Sequence, residues 1–189
     1  MRDLPVKKPS PDFEKLTGIL KGSVRCDRLM YAEILIDEEV KEFIVENYFG
    51  QKNCPPPVEH WGSDRETALD FTEKKRAYEK YYRQMIDFYY RMGYSLFADM
   101  TFIVNFEALN TLVHKTKDTA QLSGADRHWA VEGTGLIRSW EDFEKFPWKK
   151  AEALIHEYED HLKFMEKIIP EGMKIGPIAT LFEEPLEWI

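Results

Sequence analysis

Cysteine is scarce, basic runs are missing and no long apolar stretch occurs, and each shortage removes a class of protein. Cys26 and Cys54 are the only cysteines, with no Cys-x-x-Cys pair and no histidine at metal-ligand spacing. Both are expected to be reduced thiols of a cytoplasmic protein that holds no metal of its own. The 26 basic residues are outnumbered by 34 acidic ones, for a net charge of -8, and they form no run that would neutralise a phosphate backbone. No nucleic-acid partner is expected. Nowhere do about eighteen apolar residues follow one another, and Met1–Pro9 lacks the apolar core of a signal peptide. Neither a membrane partner nor export is expected.

What is present suits a single folded unit: 189 residues, 43% of them hydrophobic, can bury a core. Phe13, Leu16 and Leu20 predict a short helix over Asp12–Leu20 that stops before Gly22. The apolar run Met30–Ile36, broken only by Glu33, predicts a strand. Asp37 then caps a helix carrying Val40, Phe43, Ile44 and Tyr48. Pro55, Pro56 and Pro57 place a loop over Gln51–Gly62. A long helix follows from Asp70, with Glu73 completing a capping box, to Met92, and Gly93 supplies a left-handed stop. Its stripe of Tyr78, Tyr81, Met85, Phe88, Tyr89 and Met92 reads as core packing.

Tyr94–Ile103 is the second predicted strand, followed by a short helix over Phe106–Val113 and a polar, irregular Lys115–Arg127. Trp129–Glu132 and Leu136–Arg138, joined through Gly133-Thr134-Gly135, predict a β-hairpin, because both glycines can take positive φ. Ser139 and Asp142 box the start of a helix over Glu141–Phe146, which Pro147 breaks. Ala151, Leu154, Ile155, Tyr158, Leu162, Met165 and Ile169 mark an amphipathic helix, and Met173–Leu181 is the third strand. Strands alternating with helices predict an α/β fold with a parallel sheet.

Gly133-Thr-Gly-Leu-Ile-Arg-Ser-Trp-Glu-Asp-Phe-Glu-Lys-Phe-Pro-Trp148 resembles the uroporphyrinogen decarboxylase-like superfamily. Asp27-Arg28 with Glu33, Tyr90-Arg-Met-Gly-Tyr94 and Ile169-Pro-Glu-Gly172 extend the likeness over most of the chain. The resemblance implies a TIM-type (β/α)8 barrel, of which residues 1–189 would supply the N-terminal part: three strands with their helices and the hairpin insert. The superfamily contains the tetrapyrrole decarboxylase and methyltransferases that pass methyl groups between corrinoids and acceptors such as thiols. The decarboxylase carries an Arg-Gln-Ala-Gly-Arg element after its first strand, able to grip carboxylates bidentately. Here that region reads Ala32-Glu-Ile-Leu-Ile-Asp-Glu-Glu39, which repels them. The corrinoid-linked methyltransferase type is therefore the expected class. A stand-alone, non-catalytic binding or assembly module and an active decarboxylase are the alternatives. Zinc and a corrinoid are implied only for a full-length relative, whose zinc-binding His-x-Cys lies in the second half of the barrel. The expected partners are a small-molecule or corrinoid-protein substrate, and either a second copy of the chain or a C-terminal half supplied in trans.

Working groups of such barrels sit at the C-terminal ends of strands. That singles out Glu33 in the first strand and Asp99 in the second as catalytic candidates, with Thr180 and Glu183 at the third as substrate-binding candidates. The superfamily places a substrate-holding Asp within Phe-x-Asp-Ile, and Phe97-Ala-Asp-Met100 is similar. An acid in an apolar strand is also the mark of a structural ion pair, and both readings stand for Glu33 and Asp99. By alternation Asp99 shares a side with Phe97 and is expected to face the barrel mouth. His156 and His161 are about 140° apart around a helix and cannot share a ligand. Both are expected on a solvated, charged face.

Overall fold

The structure, a computed structural model, describes residues 6–34, 36–55, 57, 71–101, 113–117, 126–130 and 137–177. These residues gather into two compact units. Those of the first fall within Met1–Pro57, Asp70–Asp99 and His161–Pro177, and those of the second within Met100–Asp160.

The first unit begins with helix α1 (Phe13–Leu20), where the Asp12 carboxylate accepts the Lys15 amide at 2.9 Å as N-cap. Helix α2 (Glu38–Asn47) follows, with two acids in its first turn to complement the helix dipole. Its buried side is not the predicted one. Lys41, Val45 and Phe49 are buried, whereas Val40 and Phe43 are exposed. Helix α3 (Phe71–Arg91) buries Tyr78, Tyr81, Met85, Phe88 and Tyr89 as expected, and adds Tyr82 and Ile86. Each such side chain contributes about 1.5–3 kcal/mol of burial. Gly93, at φ +85°, ends the helix, with its N–H on the Tyr90 carbonyl and that of Tyr94 on the Tyr89 carbonyl.

Strand β1 (Leu96–Asp99) pairs in parallel with β4 (Lys174–Pro177), Leu96 opposite Lys174 and Asp99 opposite Pro177. Tyr31 makes a single parallel bridge to Tyr94. The fold is thus mixed helix and strand with a two-stranded parallel sheet. Among the described residues, the predicted strand over Met30–Ile36 is reduced to that bridge: Tyr31 and Ile34 are exposed, and apolar content alone does not hold a strand without a neighbour to pair. The chain's start is tied to the sheet by Asp12 N–H to Ser95 Oγ at 2.9 Å and Phe13 N–H to the Gly172 carbonyl at 2.9 Å.

In the second unit β2 (Val113–Lys117) pairs antiparallel with β3 (Asp126–Ala130), placing His114 opposite Trp129. This corrects one expectation: Lys115–Lys117 is a strand rather than irregular, paired with the stretch that holds Trp129. Val-His-Lys-Thr-Lys carries too little apolar alternation to announce one. Val113 belongs to this strand, and the rest of the predicted helix from Phe106 lies outside the described residues. So do the turn, Gly133–Gly135, and Leu136 of the predicted hairpin. Helix α4 (Trp140–Lys145) has the predicted box: Ser139 Oγ accepts the Asp142 amide at 3.1 Å, and Asp142 accepts the Ser139 hydroxyl and the Arg138 amide. Those bonds hold the Asp142 carboxyl below its usual range. Helix α5 (Trp148–Ile168) begins here, and from His161 onward belongs to the first unit. Among the described residues no helix is long and apolar enough to cross a membrane.

Candidate functional site

Three elements of the first unit bring ionisable groups together, and the sequence explains each placement. In β1, Phe97, Ala98 and Asp99 are all buried, Asp99 to 1% exposure. The Phe97 ring meets Tyr89 of α3 nearly edge-on, with centroids 5.2 Å apart. The bulky side of the strand therefore faces the helix, and alternation puts Asp99 on that side too. This corrects the expectation that Asp99 looks into a barrel mouth; the aromatic stripe of α3 needs the large side of β1 to pack against.

Helix α3 contributes Tyr81 and Tyr89. Burial pushes both phenols well above their ordinary pKa, and the negative charges of Glu38 and Asp99 push them further in the same direction. Glu33 acts on Tyr89 as well, and on Tyr94, whose phenol is likewise raised by burial first. The two acids singled out from the sequence thus both act electrostatically on the Tyr89 phenol. Glu33 itself is exposed, with its Oε1 accepting the Ile34 amide at 2.9 Å, so it does not lie within a strand as expected. Thr180 and Glu183 lie outside the described residues.

From α2 come Glu38 and Lys41, an ion pair one turn apart in which Lys41 is only 8% exposed. Sequence reading missed Lys41 because its helix stripe was placed on Val40 and Phe43. A face counted Lys41, Val45, Phe49 has the same helical spacing.

His161 is the other correction. It is buried rather than solvated, its Nδ1 3.1 Å from the Tyr82 hydroxyl and its ring 4.1 Å from that of Tyr78. The signal was available: His161 follows Tyr158 by three and precedes Met165 by four, both buried residues of the α5 stripe. His156 is exposed, beside Glu159, as expected.

Chemically, the site offers phenols that stay protonated at neutral pH, carboxylates, and an ammonium already paired. Among the described residues it has no activated nucleophile. Cys54 is buried and its thiol is pushed up by desolvation, while Cys26 stands exposed on another segment. Among the described residues no group of three His, Cys, Asp or Glu is placed to hold a metal ion. Two clefts of about 360 and 430 Å3 lie beside Asp12, Glu171 and Gly172, away from these candidates. No protein-family model, no curated protein and no solved structure matches this chain.

Proposed function

We propose that the chain is the N-terminal part of a uroporphyrinogen decarboxylase-like protein of the corrinoid-linked methyltransferase type. The supporting observation is topological. Segments at Tyr31, Tyr94–Asp99 and Lys174–Pro177 pair in parallel in chain order with helices between them, and Asp99 ends the middle one. Successive parallel pairing is how a (β/α) barrel begins. The acid content around Glu33 and Glu38 argues against a polycarboxylate substrate, and so against the decarboxylase branch.

Zinc does not fit the described residues: Cys54 is held as the neutral thiol, and Cys26 is on a separate segment with no His, Cys, Asp or Glu set around it. A zinc-bound thiol acceptor and a corrinoid would belong to a complete barrel, leaving this part to help hold a small-molecule or corrinoid-protein substrate. A non-catalytic binding module is the second reading, favoured by the protonated phenols and the absence of an activated nucleophile among the described residues.

The test uses the natural protein, at whatever length it has in its source. The methyl–cobalt absorbance of methylcobalamin is followed with thiol acceptors, for wild type and Glu33→Gln. Glu33 is exposed, so the variant should fold normally. Thiol-dependent demethylation, slowed in the variant, is the expected result. No turnover with any acceptor, from folded protein, favours the binding module.

A further inference from the structure

We propose that the exposed ring cluster of the second unit, Trp140, Phe143 and Trp148, is the surface on which a second copy of the chain docks, antiparallel about a two-fold axis. Helix α4 buries none of its residues. Six residues do not hold a helix in water by themselves, and this one is kept by the Ser139–Asp142 box, the Glu141–Lys145 pair and its rings. Trp140 meets Phe143 at 5.6 Å, Phe143 meets Trp148 at 4.8 Å, and Trp148 meets Phe146 at 4.6 Å. The Trp148 indole N–H donates to the Phe143 carbonyl at 2.7 Å, which fixes that ring and satisfies its polar atom. Ile155, seven positions after Trp148 and so on the same face of α5, is exposed as well and extends the apolar surface. The patch is ordered in advance, so covering it costs little side-chain entropy.

Charge selects the occupant. The chain carries a net charge of -8, which opposes contacts between copies in general. Ser139–Lys150 has none of that excess: Glu141, Asp142 and Glu144 come first, and Lys145, Lys149 and Lys150 follow. Glu141 pairs with Lys145, and Asp142 serves the cap. That leaves Glu144 towards one end and Lys149 and Lys150 at the other, exposed and without an ion pair among the described residues. Two such segments laid antiparallel bring each Glu144 to the other copy's Lys149, with rings against rings between them. A strongly acidic or strongly basic partner would match one end only. With Trp140 80% exposed, Phe143 41% and Trp148 44%, roughly 400 Å2 of ring surface is open per copy. Twice that is below the roughly 1,200 Å2 of a stable interface, so the dimer is a weak one. The inference rests on the second unit and not on the barrel reading.

Sedimentation velocity of the full chain from about 5 to 300 µM tests it, on wild type, Trp140→Ala, Glu144→Lys and Lys149→Glu. Wild type is expected to pass from a 22.4 kDa monomer to a dimer with a Kd on the order of 50 µM. Trp140→Ala should weaken association at least about tenfold, while its melting temperature at about 5 µM stays within about 2 °C of wild type, since the ring removed is an exposed one. Glu144→Lys and Lys149→Glu should each weaken self-association about fivefold. Their equimolar mixture should associate as tightly as wild type, because each pair across the two-fold axis again has opposite signs. Wild type that is monomeric at about 300 µM overturns the proposal and gives the patch to a different protein. Trp140→Ala that associates like wild type overturns it as well, and assigns the association to the open sheet of the barrel reading. A mixture no tighter than its two components rules out the antiparallel second copy.

Discussion

The Tyr82 hydroxyl and Nδ1 of His161 lie 3.1 Å apart in the buried interior, joining α3 to the last turns of α5 across 79 residues of sequence. Breaking such a bond from one side leaves a buried polar atom. Tyr82→Phe is expected to cost about 1–2 kcal/mol and His161→Ala about 2–4 kcal/mol in urea unfolding. The double variant should cost less than the sum, since the two share a partner. Strict additivity would mean that the contact carries no energy.

Gly172 is held at φ +83°, and a Cβ there would meet the Pro11 carbonyl oxygen at 2.2 Å. Gly172→Ala should therefore destabilise by about 2 kcal/mol or more, because backbone strain adds to a clash with main chain. Gly50, at φ +65° with nothing within 4 Å, provides the control. Gly50→Ala should cost only about 1 kcal/mol. Equal losses in thermal melts would contradict the packing described for Pro11.

Alkaline stability follows from Tyr81 and Tyr89, whose folded pKa values lie above the ordinary 10.0. Above pH 10 the unfolded chain releases phenol protons that the folded chain keeps, so stability is full below that pH and falls as pH rises. The decline should approach about 1.4 kcal/mol per pH unit for each buried phenol. Urea midpoints between pH 8 and 12 measure it. A flat profile above pH 10 would mean that both phenols ionise freely in the folded protein.

The legible parts of this fold were those whose cause is local. The Ser139–Asp142 box, the Gly93 stop and the tyrosine stripe of α3 depend on residues a few positions apart, and each stands as expected. Met30–Ile36 looks like a strand, but whether it becomes one depends on a neighbour many residues away, and among the described residues Tyr31 alone has one. The β2–β3 pair was invisible because its first strand is held by cross-strand pairing and not by apolar alternation. At the candidate site the two acids singled out from the sequence, Asp99 and Glu33, both act electrostatically on Tyr89, one from a buried strand and the other from an exposed segment. Lys41 and His161 were missed for one reason: polar residues on a buried helix face are found only by placing the stripe to within one position.

On the proposed barrel reading the parallel segments are the opening of a larger sheet, and that proposal has apolar surface covered by a second copy of the chain or by a C-terminal half. In the first unit Leu20, Leu29, Ile34 and Phe43 are exposed, and in the second Trp140 is 80% exposed with Phe143 and Trp148 beside it. Soluble monomers rarely leave such patches in water. Light scattering on the chain at about 20–100 µM, with melts at each concentration, is the most direct measurement. The expected result is a mass above the 22.4 kDa of one chain and a melting temperature that rises with concentration. A 22.4 kDa monomer with a cooperative, concentration-independent melt would contradict the claim.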